Sequence, residues 1–374
     1  MDDKKAIDCI FTLIRSSLCI STSDFSFENI DWQSIFTLAK QRGVAALCLD
    51  GIQKIEKTNT VYPFNSLTEQ CKIQWISTVV QQEKEFIKKQ LVLEQLSEFF
   101  NANGIKMMLL KGYGCALNYP NPSHRKYMDI DIYLFGNGSK ADVLMKDEYD
   151  IISKQNEDKH SIFVYNGVMV ENHAKIINTA IHPMLSGLEC YFEMEAEKAS
   201  VIEIGKAYCF IPSDNMNALF LSYHTASHFC KDETNIQHLC DWATFILKNG
   251  QNVDWNLIEK QTKQFGYFNF ICCLNGIVQD YLGVPSSLLP NWNRATELEQ
   301  QVVNSIVFPR YVGYLSPYVK LKRFFSNQWK FRMVYKENLW LYFLLLAKSY
   351  YRTKVDKKAK SIWKNEGAFF VNSK

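Results

Sequence analysis

Asp129 and Asp131 are the residues whose type and spacing predict chemistry most directly. They lie two positions apart in Met128-Asp-Ile-Asp-Ile-Tyr-Leu134, whose alternation is typical of a β-strand, so both carboxylates should point to one face. Like charges this close repel, and a divalent cation between them relieves the repulsion. A pair of Mg²⁺ ions roughly 3.5–4 Å apart can stabilise the attacking and leaving oxygens of a phosphoryl displacement. The alternative is an Asp-x-Asp pair on the solvent face of an edge strand.

A glycine turn precedes this acidic segment. The apolar run 105–110 is predicted to be a buried strand, and it continues directly into Lys111-Gly112-Tyr113-Gly114. Backbone N–H groups at such a turn can approach a phosphate, and the N-terminus of a following helix favours the negative charge. An ordinary strand-to-helix turn is the alternative.

Arg125 ends the proline-containing loop Tyr119-Pro-Asn-Pro-Ser-His-Arg125, four residues before Asp129. Its planar guanidinium group suits phosphate oxygens. A surface or ion-pairing arginine is the competing explanation.

A later hairpin carries a third acidic residue. Segments 160–165 and 168–174 are separated by Asn166-Gly167, which predicts a two-residue turn, and Met169, Glu171 and His173 then share one face. A charged Glu on an inner strand is costly unless it meets a cation or hydrogen-bond donors. Glu171 is therefore predicted to hold a metal or to take the proton from an attacking hydroxyl.

His224 and His228 lie four residues apart on a predicted helix, with Asp241 on the next one. This spacing can hold a transition metal or contact a nucleotide, but the sequence places no third strong ligand beside them. Structural histidines that cap or bridge two helices are the preferred interpretation.

The elements that must position these residues predict an α+β protein with a small mixed sheet flanked by helical regions. Helical spacing covers 28–41, and Ser66-Leu-Thr-Glu69 predicts a capping box for a long helix that ends at Gly104. Strands cluster between 105 and 212, and helices follow over 214–230, 236–249, 254–264 and 267–282. The predicted segments are 1–104 (helical), 105–212 (core with the sheet), 213–300 (helical) and 301–374 (basic helical tail).

The tail differs in charge from the rest of the chain. Residues 301–374 carry 15 Lys/Arg and 3 Asp/Glu, a net +12, whereas the remainder carries −9 because the whole chain is +3. The basic and aromatic residues of 318–360 could bind nucleic acid or anionic lipid, or pack against the acidic body. The apolar run Leu339–Ala347 is too short for a transmembrane segment and is predicted to be a buried helix.

Cysteine usage and the N-terminus predict a cytoplasmic protein. The 11 cysteines form no C-x-x-C pairs, and the N-terminal apolar stretch is interrupted by Asp8 and Arg15, unlike a secretory signal.

Together, these residues resemble the nucleotidyltransferase superfamily typified by the DNA polymerase beta catalytic domain. More closely, Leu110-Lys111-Gly112, Tyr119-Pro120, Arg125 and Asp129-Ile130-Asp131 resemble the signature of an uncharacterised bacterial nucleotidyltransferase family, over about residues 30 to 250. Two positions depart from the superfamily pattern. Tyr113 stands where Ser or Gly usually follows the turn glycine, and the third acid would be Glu171, two residues before His173, instead of an Asp just before a His.

The resemblance implies an enzyme that transfers a nucleoside monophosphate from an NTP such as ATP to a hydroxyl. Asp129, Asp131 and Glu171 would hold two Mg²⁺ ions, and Lys111, Gly112, Gly114 and Arg125 would bind the triphosphate. His173, His224, His228 and Asp241 are candidates for the substrate side. The acceptor, whether small molecule, protein or RNA, is not encoded in these motifs. The alternatives are a non-catalytic nucleotide-binding protein of the same fold and a nucleic-acid-binding protein that acts through its tail.

Overall fold

A computed structural model of the chain describes residues 3–20, 25–58, 63–156, 160–180, 182–310 and 316–336, together with four positions between 340 and 348. The chain divides into two compact units, each built from separate stretches. We call Met1–Leu91, Lys111–Met128 and Asp214–Tyr335 the helical unit, and Val92–Leu110 with Asp129–Ser213 the sheet unit. The division into four consecutive segments stays a prediction.

The helices are, in chain order, α1 (Asp3–Ser17), α2 (Trp32–Gln41), α3 (Ala45–Thr58), α4 (Glu69–Ala102), α5 (Tyr113–Ala116), α6 (Gly138–Tyr149), α7 (Ser186–Ala196), α8 (Asp214–Phe229), α9 (Ile236–Asn249), α10 (Trp255–Phe265), α11 (Phe268–Leu282), α12 (Thr296–Val307), α13 (Pro317–Ser326) and α14 (Gln328–Val334). The strands are β1 (Met108–Leu109), β2 (Ile130–Tyr133), β3 (Lys154–Asn156), β4 (His160–Tyr165), β5 (Val168–His173), β6 (Ser200–Ile204) and β7 (Ala207–Ile211).

Aromatic side chains fill the core of the helical unit. Trp75, Trp242, Tyr267, Phe229 and Phe270 are among its fully buried residues, and burial of such large apolar surfaces dominates the stability of a helical core. The four helices predicted between 214 and 282 are confirmed as α8 to α11 within one or two residues.

The predicted start of the long helix is wrong by two residues. Ser66 lies in a short 3-10 turn, Pro63–Ser66, and α4 begins at Glu69. Thr68 caps α4, because its Oγ1 accepts a hydrogen bond of 3.2 Å from the N–H of Cys71. A hydroxyl immediately before the first helical residue can reach that unsatisfied N–H, whereas Ser66 is two residues too early.

The sheet unit contains a seven-stranded mixed sheet in the order β3-β4-β5-β2-β1-β7-β6. Strand β2 pairs in parallel with β5 and antiparallel with β1, which pairs in parallel with β7. The α+β class with a mixed sheet is therefore confirmed. The two central strands are shorter than predicted, and Asp129 lies in a bend just before β2 instead of on the strand.

The hairpin of β4 and β5 is confirmed with its two-residue turn. Asn166 and Gly167 both have positive φ, 49° and 70°, as a type I′ turn requires. The turn pairs Tyr165 with Val168 and so sets the register of the whole hairpin.

Helix α6 fixes this hairpin from one face of the sheet. Asp142 Oδ1 accepts hydrogen bonds from Ser153 Oγ at 2.9 Å, Ser161 Oγ at 2.9 Å and Asn172 Nδ2 at 3.1 Å. Ser161 and Asn172 are cross-strand partners on β4 and β5. Because side chains alternate along a strand, Glu171 and His173 point to the opposite face.

The described part of the basic tail packs within the helical unit. Lys330 forms a buried ion pair with Asp232, whose other oxygen accepts a 2.7 Å hydrogen bond from Asn327 Nδ2. The ring of Trp329 lies 5.6 Å from that of Phe229. For these residues the structure matches the packing alternative. Leu339–Ala347 and the tail beyond it lie largely outside the described residues.

Within the described ranges, we find no helix whose length and apolar character would let it cross a membrane. All eleven cysteines are free thiols.

Replacing Asp142 with Ala should loosen the hairpin, because three donors on or beside β4 and β5 lose their common acceptor. We expect the free energy of unfolding to fall by about 2 kcal/mol, measured by urea titration. The matched control is Asp147→Ala, an exposed position on the same helix, which should change stability by less than about 0.5 kcal/mol. Equal effects of the two substitutions would contradict the assigned role of Asp142.

Candidate functional site

The parallel pairing of β2 with β5 brings together the acidic residues of two distant segments. Asp131 is in register with Glu171, and Tyr133 is in register with His173. The Nε2 atom of His173 lies 3.0 Å from Asp131 Oδ1 and 3.5 Å from Glu171 Oε2. Asp131 and His173 are buried, with 3% and 2% of their surfaces exposed, and Glu171 is half-buried.

His160 joins this group from β4. It is the cross-strand partner of His173, with ring centroids 5.3 Å apart, and its Nε2 lies 3.8 Å from Glu171 Oε1. His160 is not among the site residues predicted from the sequence. The signal was present, because a two-residue turn that pairs residue 165 with 168 also pairs 160 with 173.

Asp131, Glu171 and His173 form a compact set of ligand atoms. One atom from each, either a carboxylate oxygen or an imidazole nitrogen, lies within 4.8 Å of the others. Asp129, two residues before Asp131 in the chain, is half-buried. We call Asp131, Glu171 and His173 the carboxylate cluster.

The glycine turn belongs to the helical unit. Gly112 has φ 53° and ψ −108°, a conformation that side-chain-bearing residues avoid, which explains the glycine. The helix that follows, α5, spans only four residues, so its dipole is much smaller than that of a full helix. Tyr113 is buried and stacks on Phe86 at a ring distance of 5.5 Å.

Arg125 is the centre of a buried polar clamp. Its Nε and Nη2 donate to Asp241 Oδ1 and Oδ2 at 2.7 and 2.9 Å, and its Nη1 donates to the Gly112 carbonyl at 3.0 Å. The Tyr119 hydroxyl donates to Asp241 Oδ1 at 2.6 Å. We call Tyr119, Arg125 and Asp241 the clamp. Of the two interpretations of Arg125 from sequence, its contacts are those of an ion-pairing arginine.

Charge pairing in the clamp outweighs the cost of burial for the arginine. Burial alone would lower the pKa of Arg125, but the adjacent Asp241 carboxylate reverses this, and the pKa lies well above its usual value. Burial, followed by the negative charge of Asp241, raises the pKa of Tyr119 well above its usual range. The clamp therefore contains a charged guanidinium group and a neutral phenol at physiological pH.

His124 anchors the same loop at a second point. Its Nδ1 lies 2.6 Å from Asp50 Oδ2 and its Nε2 lies 3.0 Å from Glu83 Oε1. Burial alone would lower the pKa of His124, but hydrogen bonds to the two carboxylates outweigh burial and raise the pKa above its usual value.

Three histidines of α8 and α9 form a second cluster in the helical unit. The ring centroids of His224 and His228 are 4.4 Å apart. The ring centroid of His238 lies 5.8 Å from that of His224 and 5.4 Å from that of His228. We call these residues the histidine cluster. The sequence could not place the third imidazole of this group, because His238 lies on the next helix and has no local spacing relation to the other two.

Residues 28–283 match the model of the uncharacterised nucleotidyltransferase family. This match covers more than half of the 374 residues, so the chain belongs to that family, and the predicted resemblance is confirmed. Membership supports nucleotidyl transfer as the class of activity. A bacterial origin stays a prediction.

The chain is much less similar to curated proteins and to solved structures than to this family. No curated protein matches the chain. Among solved structures, the crystal structure of an antigenic nucleotidyltransferase-like protein from Paracoccidioides brasiliensis is similar, with a TM-score of 0.35 and 10% identity, covering 54% of this chain and 95% of that one.

Removing the anion of the clamp should be strongly destabilising. In Asp241→Ala, Arg125 stays buried without its partner, and we expect the free energy of unfolding to fall by about 3–5 kcal/mol in urea titrations. The double substitution Arg125→Met with Asp241→Leu should cost less, because no buried charge is left unpaired. Lys72→Ala is the control, since its partner Glu69 is 82% exposed and such pairs contribute at most about 1 kcal/mol. A double variant no more stable than Asp241→Ala would argue against this account.

The raised pKa of His124 predicts a pH-dependent stability. Because the pKa of His124 is higher in the folded state than in the unfolded state, its protonated form stabilises the fold. This stabilisation is complete below the unfolded pKa of about 6.5 and is lost as pH rises through the folded pKa. Unfolding free energies from pH 6 to pH 9 should therefore fall more steeply in the native chain than in His124→Gln. Parallel profiles for the native chain and His124→Gln would refute the assignment.

Proposed function

We propose that this protein transfers a nucleoside monophosphate from an NTP to a hydroxyl acceptor, with Asp129, Asp131 and Glu171 as its metal-binding carboxylates. The observation that carries the proposal is the in-register pairing of Asp131 with Glu171 on adjacent parallel strands. Two carboxylates side by side on a largely buried face repel each other, and a bound cation removes the repulsion. Family membership supports the reaction class.

The donor set fits a hard divalent cation such as Mg²⁺. Carboxylate oxygens are the ligands that Mg²⁺ prefers, and Asp131 and Glu171 supply them from two rigid strands. Asp129 would complete the set from the bend before β2. When bound, two such ions would neutralise developing charge on the phosphoryl oxygens and lower the pKa of the attacking hydroxyl.

His173 and Glu171 have distinct roles in this proposal. His173 lies within hydrogen-bonding distance of Asp131, so an N–H at Nε2 donates to that carboxylate and fixes its orientation. We therefore assign His173 as a positioning residue. Glu171 is more exposed than Asp131 or His173, which suits it to hold a metal or to take the proton from the acceptor hydroxyl.

Backbone groups of the glycine turn, together with Lys111, are proposed to bind the triphosphate. Leu110 donates its N–H to the Asp131 carbonyl at 3.2 Å, and the chain continues directly into Lys111 and Gly112. Tyr113 packs against Phe86, so the serine hydroxyl common in the superfamily has no substitute here. Phosphate binding would then depend on Lys111 and on the N–H groups around Gly112 and Gly114. The clamp, through Arg125 and Asp241, would hold the turn in shape.

The test is nucleotidyl transfer by purified protein with each labelled NTP, Mg²⁺ or Mn²⁺, and a cell extract as the source of acceptor. We expect label transfer and pyrophosphate release, and a loss of roughly 100-fold or more in Asp131→Asn and in Glu171→Gln, because the charge-stabilising group is removed. The isosteric controls Asp147→Asn and Glu203→Gln change exposed carboxylates of the same unit and should retain native activity.

Three outcomes separate the alternatives. Transfer that persists in both site variants would disprove the assigned carboxylates. Tight NTP binding without turnover, surviving Asp129→Asn combined with Asp131→Asn, would identify a non-catalytic nucleotide-binding protein. Absence of both binding and turnover with every NTP would rule out the proposal.

A further inference from the structure

The histidine cluster is chemically distinct from the carboxylate cluster and has no role in the proposed transfer. His224 and His228 lie one helical turn apart on α8, and His238 lies in the first turn of α9. One imidazole nitrogen from each residue lies within 4.8 Å of the other two. All three side chains are only partly exposed, so the nitrogens form a defined group and not a set of freely rotating surface residues.

Neighbouring groups already orient two of the three rings. The Nδ1 atom of His228 lies 3.2 Å from Glu233 Oε2. Nδ1 of His238 lies 3.0 Å from Asn235 Oδ1 and accepts a 3.2 Å hydrogen bond from the Asn235 backbone N–H. In His228, an Nδ1–H that donates to the carboxylate leaves Nε2 with its lone pair, as in metal sites where a second partner fixes the tautomer and raises ligand basicity. Glu233 in particular supplies the carboxylate of a carboxylate–histidine pair.

We propose that His224, His228 and His238 bind a divalent transition-metal ion of the zinc class. Three imidazole nitrogens without a carboxylate ligand favour Zn²⁺, Co²⁺ or Ni²⁺ over Mg²⁺. A tetrahedral zinc ion with Zn–N distances of about 2.0–2.1 Å holds its nitrogens about 3.3 Å apart, so side-chain rotations that bring them closer by at most about 1.5 Å complete the site. Three protein ligands leave the fourth position open.

The open position suits an anionic oxygen ligand. The positive charge of Lys111 acts on both His228 and His238, and Lys231 acts on His228. These cations oppose a bare dication, whereas Glu233 and Asp241 attract it. A fourth ligand that carries negative charge, such as hydroxide or a phosphate oxygen, offsets the remaining repulsion.

The experiment uses tag-free full-length protein carrying Asp131→Asn and Glu171→Gln, so that the carboxylate cluster does not contribute binding. The protein is depleted with EDTA, dialysed against Zn²⁺ or Co²⁺, and assayed by elemental analysis and by the visible absorption of bound Co²⁺. We expect one ion per chain and the intense spectrum of four-coordinate Co²⁺. His228→Gln and His238→Gln should each abolish stoichiometric binding at the same free metal concentration.

Two further variants make the result decisive. Glu233→Gln keeps all three ligands and should weaken affinity by roughly 10–100-fold, since it changes only the hydrogen bond to His228. His182→Gln removes a histidine outside the cluster and should bind one ion as before. Circular dichroism and urea midpoints establish that each variant is folded. If the ligand variants unfold, the Glu233→Gln affinity and the Co²⁺ spectrum decide the question.

The proposal is wrong if the folded protein takes up no stoichiometric Zn²⁺ or Co²⁺. It is equally wrong if binding is unchanged by His228→Gln and His238→Gln, or if Glu233→Gln binds as tightly as its parent. Because no NTP is present, these results do not depend on whether the protein catalyses nucleotidyl transfer.

Discussion

The carboxylate cluster holds two carboxylates side by side, Asp131 buried and Glu171 half-buried. Neighbouring strands lie about 4.8 Å apart, so residues in register on β2 and β5 cannot avoid each other. In Asp131 and Glu171 this proximity is repulsive, and His173 relieves part of it with a 3.0 Å contact to Asp131. A sheet that retains such an arrangement at its centre is suited to a cation. The same two residues on separate faces would be ordinary polar side chains.

The surrounding structure must therefore fix the register in which β5 pairs with β2. A slip of one residue would move Glu171 and His173 to the face covered by α6 and bring Asn172 beside Asp131. Two features oppose this slip. The Asn166-Gly167 turn determines which residues of β4 and β5 are paired, and Asp142 binds Ser161 and Asn172 from the other face. Residues that have no contact with a metal or substrate thus determine where the acidic face forms.

Local sequence patterns were sufficient for part of this arrangement. The hairpin, helices α8 to α11 and the shared face of Glu171 and His173 follow from periodicity and turn chemistry within a few residues. The position of β5 beside β2 does not, because strand order depends on packing between segments 40 residues apart. For the same reason, the hairpin turn could place His160 opposite His173, but the sequence could not place His160 beside the carboxylate cluster. It also could not bring His238 next to His224. The start of α4 was missed on a smaller scale, since Ser66 and Thr68 are both good caps and only the backbone decides between them.

The clamp changes the meaning of the signature itself. Tyr119 and Arg125 looked like parts of a phosphate-binding loop and Asp241 like a distant substrate residue, yet all three meet in one buried network that holds the carbonyl of Gly112. The planar guanidinium group of Arg125 donates two hydrogen bonds to Asp241, because a buried guanidinium stays charged only when it is paired with an anion. The signature thus combines two kinds of residue: Asp129 and Asp131, the proposed metal-binding carboxylates just before and on β2, and a framework that holds the glycine turn. A substitution in the framework can then abolish activity without touching a phosphate, which is why loss of function alone would not identify Arg125 as a ligand of the nucleotide.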